Sequence, residues 1–190
     1  MSVSAPPSTD STPKRYYGKY RGTALENLDP MQMGRIMAQV PDVLGETTSS
    51  WAMPCVPAAG IQAGIFVVPP IGSSVWIEFE QGNPDYPIWT GGFWGTAGDV
   101  PAFALVPPPA VPPLIGQNIV LQTMGQNTLM VSDAAPTPAT GGIVLKSAGG
   151  SMIVVNDTGI YLTCGPGLAT IMLVGATVAI NETALTITGP

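Results

Sequence analysis

The sequence has no histidine, two cysteines and little charge: charged side chains make up 9% of its 190 residues, against roughly a quarter in an ordinary soluble domain. Each shortage excludes something. Without histidine or a C-x-x-C pair, neither a zinc site nor imidazole acid–base chemistry is expected, and no cofactor is implied. Cys55 and Cys164 lie far apart in apolar contexts, which favours free, buried thiols over a disulfide in a chain made in the cytosol. A membrane-spanning helix needs about 18 or more uninterrupted apolar residues. The longest apolar stretch, Ala169 to Ile180, is broken by Thr170, Gly175 and Thr177. The amino terminus has no apolar core ahead of a cleavage site, so no signal peptide is expected. Such a chain would be assembled in the cytoplasm and leave its cell only as part of a larger particle. The net charge of −6 argues against nucleic acid as the main partner, because a binder needs cations to displace counterions from phosphates.

What the sequence does have is Gly (23) and Pro (21), the punctuation of short strands and turns. From residue 101 onward the only charged side chains are Asp133, Lys146, Asp157 and Glu182. That is too few for a polar surface, so this half is expected to be hidden by other copies of the same chain.

Residues 1–15, with Pro6, Pro7 and Pro13 among Ser and Thr, carry no periodic apolar residues and read as a flexible arm. The one basic patch begins there: Lys14, Arg15, Lys19 and Arg21, interleaved with Tyr16, Tyr17 and Tyr20. Stacking on single-stranded bases would use such residues. An exposed strand face docking on an acidic protein explains them equally and agrees better with the overall acidity. Residues 16–98 read as the next domain, and from Gly34 to Gly95 short apolar runs are separated by Gly, Pro and Asn, so that no helix of any length fits. In Ser74 to Glu80 the apolar Val75, Ile77 and Phe79 face one way and Trp76, Glu78 and Glu80 the other. Further strands are expected at Arg35–Val40, near Trp51, at Ile65–Val68 and at Ile88–Trp94; together they suit a small closed barrel such as the OB fold. Residues 99–113 hold six prolines, Pro101, Pro107, Pro108, Pro109, Pro112 and Pro113, and predict an extended strut.

Residues 114–190 repeat themselves. Leu129-Met130-Val131-Ser132-Asp133 returns as Ile153-Val154-Val155-Asn156-Asp157 and again as Val178-Ala179-Ile180-Asn181-Glu182, while Ile119-Val120-Leu121 matches Ile143-Val144-Leu145. About eight short strands follow from these units. Strands so short and apolar leave faces and edges uncovered. A prism of three chains covers them, with Ile and Leu filling the axis, Thr and Val outside, Gly and Asn at the corners, and ladders running between chains. The fold class is therefore all-β: an OB barrel followed by an intertwined trimeric β-helix. Ala134–Gly142 reads as a corner insertion.

Few residues invite chemistry. Glu78 and Glu80 share a strand face, but nothing near them in sequence supplies a nucleophile or an orienting base, and they read as a solvated face. Nucleophile-elbow, phosphate-loop and calcium-loop patterns are absent. Gly91-Gly92 and Gly149-Gly150 read as turn glycines. Trp51, Trp76, Trp89 and Trp94 could form a sugar platform and are better accounted for as core and trimer contacts. No enzymatic site is expected.

The barrel segment also resembles a known family. Tyr17-Gly18-Lys19-Tyr20-Arg21-Gly22, Asn27-x-Asp29-Pro30, Gly34-Arg35-Ile36, Val40-Pro41-Asp42, Trp51-Ala52-x-Pro54-Cys55, Val75-Trp76-Ile77-Glu78-Phe79-Glu80-x-Gly82-Asn83-Pro84 and Pro87-Ile88-Trp89 occur in order. Together they are similar to the phage baseplate assembly protein V and VgrG-like spike proteins of contractile injection systems. The resemblance implies a homotrimeric spike whose barrels seat on a baseplate hub and whose needle is driven through a target envelope when a sheath contracts. Lys14, Arg15, Tyr16, Tyr17, Lys19, Tyr20 and Arg21 would contact the hub. Some needles of the family hold iron at the tip through histidine pairs; this chain has none. That implies a separate PAAR-type tip protein on Thr186, Ile187, Thr188, Gly189 and Pro190. No lysozyme-like insertion separates barrel from needle. The remaining alternative is an OB module for oligonucleotide or glycan with a trimerising tail.

Overall fold

The computed structural model describes residues 13–105, 118–133, 141–181 and 184–188. The chain divides into two compact units, Met1–Gly95 and Thr96–Pro190. In the first unit the strands are β1 (Tyr20–Glu26), β2 (Met37–Gln39), β3 (Met53–Pro54), β4 (Ala59–Gly60), β5 (Ala63–Gly64), β6 (Ser74–Phe79) and β7 (Pro87–Gly92). Five of them form a sheet in the order β2-β1-β6-β7-β3. A bridge between Ile36 and Ala52 then joins the two edges: Ile36 N donates to Ala52 O at 3.3 Å and Ala52 N to Ile36 O at 2.7 Å. With that bridge the sheet rolls onto itself as a small barrel.

The alternation in β6 places its side chains as expected. Val75, Ile77 and Phe79 are buried and join Ala24, Ile36, Ala38, Val40, Ala52 and Trp89 in one core. Trp89 keeps its indole N–H satisfied by donating to Gly34 O at 3.0 Å. Small residues on β1 let the neighbouring strands close. A Cβ on Gly22 would lie 2.9 Å from the Gln39 carbonyl oxygen and 3.1 Å from Ile77 Cγ1.

Asp29 fixes the loop that follows β1. Its carboxylate accepts from the Met31, Met33 and Arg35 amides at 2.9, 2.8 and 3.3 Å, and from Arg35 Nη2 at 2.6 Å. The Arg35 side chain, and after it the backbone amides, hold this carboxyl far below its ordinary value against the opposing effect of desolvation. Arg35 in turn lies over the Trp51 ring at 5.4 Å.

Several local expectations are corrected. The stretch from Gly34 to Gly95 holds one helical turn: Val40 leads into α1 (Pro41–Leu44), because proline at the first helical position needs no N–H partner, and Gly45 at φ 59° ends it. Ile65–Val68 forms no strand. The hairpin is instead β4–β5, just upstream, and Pro69-Pro70 supplies no amide with which to extend a ladder at Val68. Gly91 and Gly92 lie inside β7, where the register slips between Trp76 and Ile77. This is a bulge rather than a turn. Both cysteines are free, and both are exposed rather than buried.

In the second unit α2 (Ala102–Leu105) precedes β8 (Asn118–Gln122), β9 (Thr128–Ser132), β10 (Gly142–Lys146), β11 (Met152–Asn156), β12 (Gly159–Thr163), β13 (Thr170–Val174), β14 (Thr177–Ile180) and β15 (Leu185–Thr188). These eight strands make one sheet in strict chain order, each antiparallel to the next. The number expected from the repeats is present. Ladders expected between chains run within this chain, each strand pairing with its neighbour in sequence, and the two-residue connections β11–β12 and β13–β14 are tight hairpin turns. What remains for other copies is the face of the sheet and its two edge strands, β8 and β15.

The proline-rich strut and the Ala134–Gly142 insertion lie largely outside the described residues, as do Gly189 and Pro190. The described part of the strut contains α2, whose Phe103 packs on Met130, Val144 and Val154. Asn118 Nδ2 donates to Phe103 O at 3.0 Å, and Lys146 Nζ sits 5.2 Å from the Phe103 ring centre. Thus α2 is pinned to the sheet at its start.

Candidate functional site

The register of the eight-stranded sheet sorts its side chains completely. On one face, every strand contributes one residue to each of two columns. One column runs Ile119, Val131, Ile143, Val155, Ile160, Leu173, Val178, Ile187; the other runs Leu121, Leu129, Leu145, Ile153, Leu162, Ile171, Ile180, Leu185. All are Ile, Leu or Val. Most of them stand 38% to 69% exposed in the single chain. A β-sheet with side-chain period two can keep one face dry only by burying it. Among the described residues of this unit nothing covers most of these side chains.

The opposite face is different. Its central column is Val120, Met130, Val144, Val154, Tyr161, Met172, Ala179 and Thr186, flanked by Gln122, Thr128, Lys146, Met152, Thr163 and Thr170 on one side and Asn118, Ser132, Asn156, Val174 and Thr177 on the other, so that the flanks are mostly polar. Met130, Val144 and Val154 are already buried there. Polar flanks bond locally: Asn156 Oδ1 accepts from the Thr158 and Gly159 amides at 2.9 and 3.2 Å, which shapes the β11–β12 corner. One face suits water and the other an apolar partner of the same shape. This is the division that the prism of three chains requires.

The basic patch of the first unit is exposed, and most of its side chains contact neighbours on the barrel surface. Lys19 Nζ reaches Glu78 Oε1 at 2.7 Å and Thr90 Oγ1 at 3.0 Å, Thr90 being the residue displaced by the β7 bulge. The Arg21 guanidinium lies 5.5 Å from the Trp76 ring and 5.0 Å from that of Phe93. Tyr16 and Tyr20 fold against Phe79, with ring centres 6.3 and 5.7 Å away. Lys14 sits over the Tyr16 ring at 4.9 Å. Arg15 makes no ion pair among the described residues, and Tyr17 is 72% exposed. Glu78, read as a solvated carboxylate, is therefore the partner of Lys19, and the four Trp residues divide: Trp89 is core, Trp51 and Trp76 carry cations, and Trp94 is exposed.

At the other end of the chain β15 is an edge strand with Ile187 exposed at 59% and Thr188 paired to Thr177. Leu185 and Ile187 continue the aliphatic columns to that edge. Among the described residues no group of three or more His, Cys, Asp or Glu is placed to hold a metal ion, and no helix is long and apolar enough to cross a membrane.

One exposed feature escaped the sequence reading: the β4–β5 hairpin. Ile61 at its tip is fully exposed. The signal that could have found it is the stretch from Thr47 to Ile77, which holds no charged residue.

Two family models match the chain in this order. Residues 20–94 match the type VI secretion system/phage-baseplate injector OB domain. Residues 118–186 match the phage baseplate V C-terminal trimerisation domain, the segment that carries the aliphatic columns. No curated protein matches the chain.

Proposed function

Because the chain belongs to the phage baseplate V family of spike proteins, VgrG-like proteins of contractile injection systems, we propose that it is the central spike of such a machine. In this reading a homotrimer seats its barrels on a baseplate hub and points its needle outward. A tip protein caps the needle, and sheath contraction drives it through the target envelope. The protein is assembled into a tail-like particle and its role is mechanical.

The observation that carries this reading is the pair of aliphatic columns. Three such faces turned toward a common axis give a dry, continuous core, and the mixed polar faces remain outside. Each chain satisfies its own ladders, so axial load passes through hydrogen bonds within a sheet and through packing between sheets. Eight strands spaced about 4.8 Å apart stack to a height of about 34 Å. A needle of that height carries a tip through one envelope layer when pushed.

The hub contact is assigned to the patch around Lys14, Arg15, Tyr17, Lys19 and Arg21. Arg15 and Tyr17 stand free of ion pairs and cation–ring contacts among the described residues, while Lys19 and Arg21, themselves exposed, also contact Glu78, Trp76 and Phe93. Six cations in a chain of net charge −6 are few for a phosphate backbone, which disfavours the oligonucleotide-binding alternative. The edge strand β15, with Leu185 and Ile187 exposed, offers an apolar surface to a separate PAAR-type cap.

The test is placement. An affinity label on the needle should appear in electron micrographs at the baseplate end of intact particles and beyond the target envelope after contraction. Particles that assemble and contract without this chain, or a label on the tube or the sheath, would refute the proposal.

A further inference from the structure

The β4–β5 hairpin projects from the barrel with an uncharged, apolar surface. Ile61 is 100% exposed, Phe66 73%, Val67 65% and Ile65 53%. The base is anchored and the tip is not. Ile65 N donates to Ala58 O at 3.1 Å. At Gly34, whose φ is +77°, an added Cβ would lie 3.1 Å from the Phe66 ring and 3.4 Å from Val68. One edge of Phe66 thus rests on the barrel while the rest stands free.

Beside it the loop held by Asp29 presents Leu28 and Met31, 79% and 64% exposed. Asn27 Nδ2 donates to Pro69 O at 3.0 Å and ties the two loops together. A two-stranded hairpin of two-residue strands is marginal alone, and an apolar surface of this kind marks an interaction site.

We propose that this hairpin is an arm that packs on the barrel of the next copy within the trimer, so that the barrels, as well as the needles, lock together. The proposal rests on the trimeric spike reading. Continuity with the trimerisation domain identifies the occupant. Each barrel is covalently joined to a trimerising unit, which sets the concentration of its neighbours near the millimolar range whatever their own affinity. A contact between arm and barrel joins two different surfaces, and three such contacts close a ring. Charge points the same way. The arm offers no charged group, whereas the surface assigned to the hub is the basic one at residues 14–21.

The test uses the full chain with Cys55→Ser and Cys164→Ser, both exposed and unpaired, and Ile61→Cys carrying an environment-sensitive fluorophore. In the isolated trimer the label should be several-fold less accessible to iodide than the same label at Asp85→Cys, on an exposed turn. Hydrogen exchange on the unlabelled chain provides a second measurement: amides of residues 59–64 should exchange slowly, and Ile61→Asp should speed them without changing the trimeric mass. A confirmed trimer with an accessible label and fast exchange would overturn the arm and leave the spike reading standing. Protection that appears only in assembled particles would also overturn it, because another baseplate protein would then be the cover. A monomeric mass would remove both readings.

Discussion

Ile153 offers the sharpest test of the needle. It lies on β11 between Leu145 and Leu162 in the middle of its column, 39% exposed in a single chain. Full burial of an isoleucine stabilises by about 1.5–3 kcal/mol, so closing this face contributes about 0.6–1.2 kcal/mol per chain at this position. Ile153→Asp forfeits that and leaves an unpaired carboxylate in an apolar axis, a penalty of about 3–5 kcal/mol. Three-fold symmetry brings three such groups into one layer, for a total of about 11–19 kcal/mol. The trimer should dissociate at micromolar concentration. On a face open to water the same substitution would change stability by no more than about 0.5 kcal/mol. Native mass spectrometry reads the oligomer, and tryptophan fluorescence provides an internal control, because Trp51, Trp76, Trp89 and Trp94 all lie in the barrel. Expected results are a lost trimer with unchanged barrel emission for Ile153→Asp, and an intact trimer for Ile153→Val and for Ala148→Asp in the exposed β10–β11 turn. A trimer that survives Ile153→Asp would refute the reasoning, since no partner charge lies on that face.

Two further outcomes follow for the barrel. Asp29 titrates below its ordinary value of about 3.8 in the folded state, so its contribution is complete above that pH and shrinks as the pH falls further. The difference in melting temperature between wild type and Asp29→Asn should therefore be largest near neutrality and narrow between pH 4 and pH 2 (roughly the window in which the unfolded carboxyl protonates); a difference that widens with acid would contradict the assignment. Gly22→Val places atoms where the Gln39 carbonyl and Ile77 already sit, and should cost about 1–3 kcal/mol in denaturant unfolding followed by tryptophan fluorescence. A fully stable variant would mean that β1 and β2 do not approach as closely as described.

Much of the needle was legible because period-two patterning and repetition are properties of the chain itself. Ile119-Val120-Leu121 and Ile143-Val144-Leu145 already separate an aliphatic face from a mixed one, and the repeats count the strands. Which backbone pairs with which was not legible. The same alternation is compatible with ladders between chains or within one, and only the three-dimensional pairing, each strand beside its predecessor, decides for a meander. In the barrel, β6 was readable from Val75, Ile77 and Phe79, whereas β4–β5 was not, because Ala-Gly strands carry no pattern and the apolar Ile65–Val68 run next to them looked like the better strand.

The candidate surfaces divide in the same way. Lys14 to Arg21 stand out in a chain with six cations, but their engagement by Glu78, Thr90, Trp76 and Phe93 joins residues tens of positions apart. By itself the sequence determined the all-β class, the strand count of the needle, the apolar face that demands other copies and the membership of the spike family. Local pattern suffices for these, since alternation and turn residues act over a few positions. Only the tertiary structure decided that the ladders close within each chain, that Lys19 and Arg21 are already partnered, and that an apolar hairpin stands out from the barrel. These depend on which distant segments meet, and burial and pairing free energies are set by that meeting rather than by the residues alone.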